Sequence, residues 1–206
     1  MFSAGKKSYY HNPVFFLTAA LHKVLPTSMK TVVVLDSDLK FQSDIRGLFD
    51  MFSKFSQTNI MGFAHEQQPT YRHALYQYRD RHKGTKIGDP PPEGIPGFNS
   101  GVVLLNLEKI RNAQFYNRLL TGGDVKEMAE RYQFKGNLGD QDFFTLLSFD
   151  YQNLFYIIPC SWNRQLCRFW EKGYEDVFVS YHKCAEPAHV FHGNCKAPIP
   201  NQRIVL

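Results

Sequence analysis

The chain has 206 residues, 43% of them hydrophobic, and a formal net charge of +5. Such a composition belongs to a globular domain with a real core, and no apolar run reaches the roughly 18 residues that a membrane span needs. The mild positive balance suits an anionic ligand such as a nucleotide diphosphate. The basic residues are scattered, and the densest run, "YRHALYQYRDRHK" at 71–83, is broken by Asp80, so it reads as a solvated helix face and argues for no nucleic-acid partner.

Residues 1–12 are polar and lack the apolar stretch of a signal peptide. A helix is predicted over "HNPVFFLTAALHKVLP", with Asn12 as cap, Pro13 in the first turn and Pro26 as its end. The run at 32–35 predicts a buried strand that stops at two aspartates, Asp36 and Asp38. "SDIRGLFDMFSKF" predicts a short helix with Ile45, Leu48, Phe49 and Phe52 on one face, and "NIMGFAHE" a second buried strand. Residues 88–98, "GDPPPEGIPGF", hold too much Pro and Gly for an element interior and form a rigid loop. It feeds a third buried strand at 102–105, followed by helices from about Glu108 and over about 123–133. A last helix opens at "LGDQDFF", with Asp140 as its N-cap. From Cys160 the chain reads as irregular and aromatic. Strands alternating with helices indicate a single α/β domain over 1–206, with a cysteine-bearing segment at 160–195 inside it.

All four cysteines, Cys160, Cys167, Cys184 and Cys195, lie in that segment, separated by six, sixteen and ten residues. These gaps do not match the paired short spacings of structural zinc sites. An even count in one loop-rich segment favours two disulfides and an oxidising lumen, with the pairing left open. Four buried thiols in a cytosolic protein is the competing reading.

Four stretches carry candidate chemistry. In "TVVVLDSDLKF", Asp36 and Asp38 share one side if the strand persists. Two such carboxylates repel unless a hard cation such as Mg²⁺ or Mn²⁺ lies between them. A phosphatase nucleophile and a plain polar strand end are the alternatives on this stretch, and Lys40 fits the phosphatase pattern poorly. In "PGFNSGVVLLNLE", Asn99 and Ser100 sit before a buried strand and Gly101 permits close backbone approach. In "NLGDQDFF", the acids Asp140 and Asp142 open a helix beside Gln141, an amide able to bond sugar hydroxyls. In "VFHGNCKAPIP", His192 precedes Gly193 and Lys196; a His can complete a carboxylate metal site, and a Lys can hold a diphosphate.

The set "DSD", "FNSGVVLLN", "GDQD" and "HGNCK", in this order and spacing, resembles glycosyltransferase family 8, retaining enzymes of the GT-A fold. "GDPPPEGIPGFNSGVVLLNLE", "LGDQDFF", "CSWNRQLC" and "FHGNC" before "PIP" are similar to its α-1,3-xylosyltransferase branch, over almost the whole chain. The resemblance implies a central mixed sheet flanked by helices, and Asp36, Asp38 and His192 as ligands of Mn²⁺, or of Mg²⁺. It implies UDP-xylose as donor and, as acceptor, a xylosyl-glucose glycan on EGF repeats of the Notch type. Asn99, Ser100 and Gly101 would line the donor pocket with Gly193, Lys196 would touch the diphosphate, and Asp140 and Gln141 would position the xylose as the catalytic pair. Trp162 and Asn163 would face the acceptor. A related family-8 transferase using another sugar, or an inactive relative serving as a binding module, is the alternative.

Only 35 residues precede Asp36, whereas family members carry opening strands and most uridine contacts before this point. The resemblance therefore implies amino-terminal truncation, with one sheet edge open and the uracil pocket short of a wall. It also implies a full-length form anchored in the endoplasmic reticulum membrane with its catalytic domain in the lumen.

Overall fold

The computed structural model describes residues 13–201 apart from 122 and 137; the expected cap Asn12 lies outside the described residues. β4 (Phe98–Asn106) organises the main sheet. Val103 and Leu105 enter one core and Val102 and Leu104 another, and none is more than 1% exposed. Strand side chains alternate between faces, so a continuous apolar run fits a strand covered on both sides. β4 lies antiparallel between β1 (Thr31–Leu35) and β3 (Met61–His65), and β3 pairs in parallel with β5 (Phe155–Ile157), giving the order β1-β4-β3-β5. This mixed sheet is the α/β arrangement that the sequence predicts. The larger core draws on α1 (Leu17–Val24), α5 (Leu107–Asn112), α6 (Gln114–Leu119), α7 (Asp124–Arg131) and α8 (Asp140–Asp150). The smaller one, on the other face, holds Leu48, Met51 and Trp162.

Several predicted elements shift. β1 is only half-buried along its length, because it pairs with β4 alone among the described residues. The helix after it splits into α2 (Arg46–Asp50) and a 3₁₀ turn at Met51–Lys54; Leu48 and Met51 are buried while Ile45 and Phe49 remain exposed. Residues three apart eclipse on a 3₁₀ turn, which rotates the buried face away from the predicted one. The basic run divides between α3 (Thr70–Ala74) and α4 (Tyr76–Arg81), with Tyr71 and Leu75 turned inward. α6 has no counterpart in the prediction.

β4 also begins four residues before its predicted start, and this shapes the cleft. Phe63 faces Val103 but Ala64 faces Asn99, so the β3 pairing skips from 103 to 99. The skipped segment keeps its bonds to the other neighbour: Leu35 pairs with Val102, and the Asp36 amide donates to the Gly101 carbonyl at 3.0 Å. A bulge of this kind re-aims side chains at a sheet edge.

The tail predicted as irregular contains β6 (Arg164–Gln165), α9 (Glu175–His182) and β7 (Val190–His192). With β2 (Leu39–Phe41) these strands form a second sheet, β2-β7-β6. Strands of two or three residues are too short to show a period. Both expected disulfides are present, Cys160–Cys184 and Cys167–Cys195. Among the described residues no helix is long and apolar enough to cross a membrane.

Candidate active site

Asp36 and Asp38 converge by a turn, not along a strand. β1 ends at Leu35, and the next three residues reverse toward β2. Backbone bonds pin the turn on both sides: Asp36 to the Gly101 carbonyl, and the Gly193 amide to the Asp38 carbonyl at 2.9 Å. His192, at the end of β7, brings Nε2 to 3.3 Å from Asp38 Oδ1 and 3.6 Å from Asp36 Oδ2. One ligand atom from each of the three residues lies within 4.8 Å of the others.

The His192 ring is oriented from behind. Its Nδ1 lies 2.9 Å from Asn163 Oδ1, and Asn163 Nδ2 donates to Asn99 Oδ1 at 2.9 Å. An amide oxygen only accepts, so Nδ1 carries the proton and Nε2 presents a lone pair to the two carboxylates. Burial holds the His192 pKa below its ordinary value, against the pull of Asp38. The Asp36 pKa is pushed up to about 6, first by burial and then by the Asp38 and Asp140 carboxylates. Among the described residues no Lys or Arg forms an ion pair with Asp36 or Asp38. Two hard oxygens, a neutral imidazole and uncompensated negative charge fit a divalent cation of the Mn²⁺ or Mg²⁺ kind.

The three residues open on a cleft of about 550 Å³, a size suited to a small ligand. Asn99, Ser100, Asp140 and Gln141 also line it. α8 starts after Gly139, whose φ of +66° turns the chain sharply, and Asp140 is the first helical residue, not the cap. Its carboxyl lines the cleft, where burial raises its pKa against the opposing pull of Thr18 and of the Gln141 and Asp140 backbone amides. Gln141 Oε1 accepts from the Ser100 amide at 3.1 Å and from its hydroxyl at 3.4 Å.

Other predicted residues stand further back. Gly101 faces the His192 ring so closely that a Cβ there would sit 2.3 Å from its Cε1. Gly193 anchors Asp38 through its backbone. Lys196 is exposed, just past the cleft-lining Cys195, and does not itself line the cleft. Trp162 stacks on His189 and packs in the smaller core, and Asn163 is fully buried beneath His192, so neither lines the cleft. Asp142 is likewise buried, accepting from Tyr71 Oη at 3.0 Å and from the Leu138 amide at 2.6 Å.

Among the cleft residues that carry no clear mark in the sequence are Glu66, Phe169 and Trp170. Glu66 follows a buried strand as Asp36 does, and that position is its only signal. Phe169, 71% exposed, and Trp170 lie between β6 and α9, where no periodicity marks them.

The sequence profile described as Glycosyl transferase family 8 matches residues 3–196. The chain belongs to that family. This family-8 chain is 48% identical over 200 residues to human xyloside xylosyltransferase 1, a match covering 97% of this chain and 51% of the relative. It thus spans about half the length of the human and mouse proteins of that name. The crystal structure of mouse xyloside xylosyltransferase 1 in its apo form superposes with a TM-score of 0.93 at 47% identity, covering 97% of this chain and 69% of that one. Galactosyltransferase LgtC, crystallised with donor and acceptor sugar analogs, matches with a TM-score of 0.55 at 16% identity over 91% of this chain and 60% of that one, a likeness of fold alone. The fold is of the GT-A glycosyltransferase type, as the motifs imply.

Proposed function

We propose that this chain carries the catalytic cleft of a retaining xylosyltransferase that moves xylose from UDP-xylose, in α-1,3 linkage, to a xylosyl-glucose glycan on EGF repeats. The observation behind the reading is the convergence of Asp36, Asp38 and the neutral His192 Nε2 in one cleft with Asp140 and Gln141. The choice of xylose is supported by the identity to xyloside xylosyltransferase 1. The two disulfides favour an oxidising lumen, and we assign the full-length form to the endoplasmic reticulum as a membrane-anchored protein.

Asp36, Asp38 and His192 would hold Mn²⁺, which when bound stabilises negative charge on the departing diphosphate. Asn163 keeps the His192 proton on Nδ1, so Nε2 remains a ligand atom. Lys196, exposed at the rim, is assigned the outer part of the diphosphate. Ser100 fixes the Gln141 amide beside the sugar. Phe169 and Trp170 offer ring faces to the acceptor glycan.

Retention needs either a covalent intermediate or front-side attack. Gln141 is a poor nucleophile, and Asp142 is committed to Tyr71 and Leu138. In the front-side route the acceptor hydroxyl adds to the sugar carbon on the face the diphosphate leaves, and a phosphate oxygen takes its proton. Asp140 as nucleophile is the competing route, and trapping of a glycosyl-enzyme on Asp140 would establish it.

The test is Asp38→Asn, measured with UDP-xylose, acceptor glycopeptide and Mn²⁺. Loss of Lewis-acid help worth several kcal/mol predicts a fall in turnover of roughly a thousandfold. The Mn²⁺ titration should vanish while Tm stays within a few degrees of the parent. Full turnover in excess chelator would overturn the metal assignment, and preference for another UDP-sugar would overturn the xylose assignment.

A further inference from the structure

Glu66 is the one buried polar side chain, among the described residues, with an oxygen left over. It is 3% exposed, yet it lines the cleft. Its Oε2 accepts from Asn99 Nδ2 at 3.2 Å and, at the longer distance of 3.5 Å, from Gln141 Nε2. Its Oε1 is buried and has no partner that meets hydrogen-bond geometry, the neighbouring Gln68 backbone included. Leaving such an atom unpaired costs about 1–3 kcal/mol, more if the group is charged, and its amide is already used, donating to the Gly97 carbonyl at 3.0 Å.

The surroundings explain why the oxygen is not simply wasted. Gln141 is held by Ser100 on one side and by Glu66 on the other. Asn99 is held by Asn163 and Glu66, and Asn163 orients His192. One continuous polar seam thus runs from the cation cluster to the end of the cleft where Gln141 stands, and Glu66 Oε1 is its single open position. A pyranose hydroxyl is the chemistry that fits: small, neutral, and able to donate to a carboxylate or to accept from a carboxylic acid.

We propose that Glu66 is a sugar-recognition residue, its Oε1 pairing with a hydroxyl of the pyranose in the cleft while its Oε2 keeps Asn99 and Gln141 in place. The inference rests on the transferase reading above. It adds a contact that discriminates by hydroxyl position, because a site built for a hydroxyl rejects an analogue lacking it. The hydroxyl belongs either to the donor sugar or to the acceptor sugar, and the experiment separates them.

Binding of UDP and of UDP-xylose, each with Mn²⁺, is measured for the parent chain, Glu66→Leu and Glu66→Gln, together with the acceptor KM. Leu keeps bulk without polarity; Gln offers an amide oxygen to Asn99 and Gln141 and an NH₂ to the sugar. Glu66→Leu should bind UDP as the parent does but lose about tenfold or more either in UDP-xylose affinity or in acceptor KM, and Glu66→Gln should recover most of that loss. Loss in UDP-xylose affinity assigns the hydroxyl to the donor, and loss in acceptor KM alone assigns it to the acceptor. Equal weakening of UDP and UDP-xylose, or a Gln variant no better than Leu, would make Glu66 merely structural and overturn the proposal. Should Glu66→Leu fail to fold, Glu66→Ala with the same UDP and UDP-xylose pair decides between the two outcomes. A parent chain that binds UDP but no UDP-sugar would instead overturn the transferase reading.

Discussion

The two sheets meet at the cleft but are held together by different means. The sheet β1-β4-β3-β5 rests on apolar side chains packed above and below β4. The sheet β2-β7-β6 has strands of two or three residues: it adds only Val190, with Leu39 and Phe41 alongside, to the smaller core, and two disulfides tie the segment that carries β6 and β7. The cation cluster takes Asp36 and Asp38 from the turn between the sheets and His192 from the small one. The proposed metal site is therefore only as well placed as the smaller sheet, whose short strands bury little apolar surface of their own.

Removing the disulfides probes that difference most strongly. Their sequence separations, 24 and 28 residues, are so alike that loop-closure entropy assigns each about 3–4 kcal/mol. The double variants Cys160→Ser/Cys184→Ser and Cys167→Ser/Cys195→Ser should therefore lose similar stability in urea unfolding. Their effects on Mn²⁺ affinity should differ. Cys195 lies three residues beyond His192, and Cys167 follows β6, whose Gln165 pairs with His192. Only the second variant should weaken the titration, by roughly tenfold, the scale of a disturbed outer contact to a metal ligand. Equal weakening in both would show that the small sheet moves as one body.

The same contrast explains which parts of the molecule are legible in the sequence. The apolar runs at 32–35, 61–64 and 102–105 carry their own signal, because a covered sheet demands it of every residue. Asp36 and Asp38 stand out as a short polar cluster ending the first of those runs, whereas Asp140, Gln141 and His192 are singled out by the family resemblance. β6 and β7 are illegible, since their pairing partners are distant in sequence and their lengths fall below one period. Asn163 is placed on the acceptor side only by the family resemblance. Its observed place, behind His192, depends on contacts across 29 and 64 residues that no local pattern encodes. Glu66 is hidden for a related reason: its partners Asn99 and Gln141 stand 33 and 75 residues away.

Glu66 also gives the main sheet a pH dependence that its apolar core would not have. Burial pushes its pKa from an ordinary 4.5 up to about 7, against the pull of Asn99, the Gln68 backbone and Gln141. A carboxyl whose folded pKa exceeds its unfolded one binds more protons when folded. Its contribution is therefore most favourable below 4.5 and is lost as pH rises toward 7. The span corresponds to a fall of at most roughly 3 kcal/mol. Urea unfolding in chelator, at pH 5 and pH 8, should show Glu66→Gln close to the parent at the lower pH and more stable at the higher. Asp36 drifts in the same direction but is common to both proteins. Parallel profiles would mean that the buried seam accommodates the ionised acid without cost.

Gly101→Ala tests the contact between the two sheets directly, with the smallest expected effect. Gly101 is in the bulged part of β4, and its carbonyl already receives the Asp36 amide. A Cβ added there would lie 2.3 Å from His192 Cε1 and 2.5 Å from Nδ1, well inside contact distance. Either the ring leaves its bond to Asn163 or the small sheet moves away from the large one. If the ring moves, Mn²⁺ affinity should fall about tenfold with little change in Tm. If the sheets separate, Tm should fall as well, by the few degrees that about 1 kcal/mol represents in a domain of this size. The first outcome is the one expected: the His192 ring can rotate about its own side-chain bonds, whereas the small sheet is tied through β2 to the turn that carries Asp36 and Asp38. Unchanged affinity and Tm would show that the bulge relaxes independently of both.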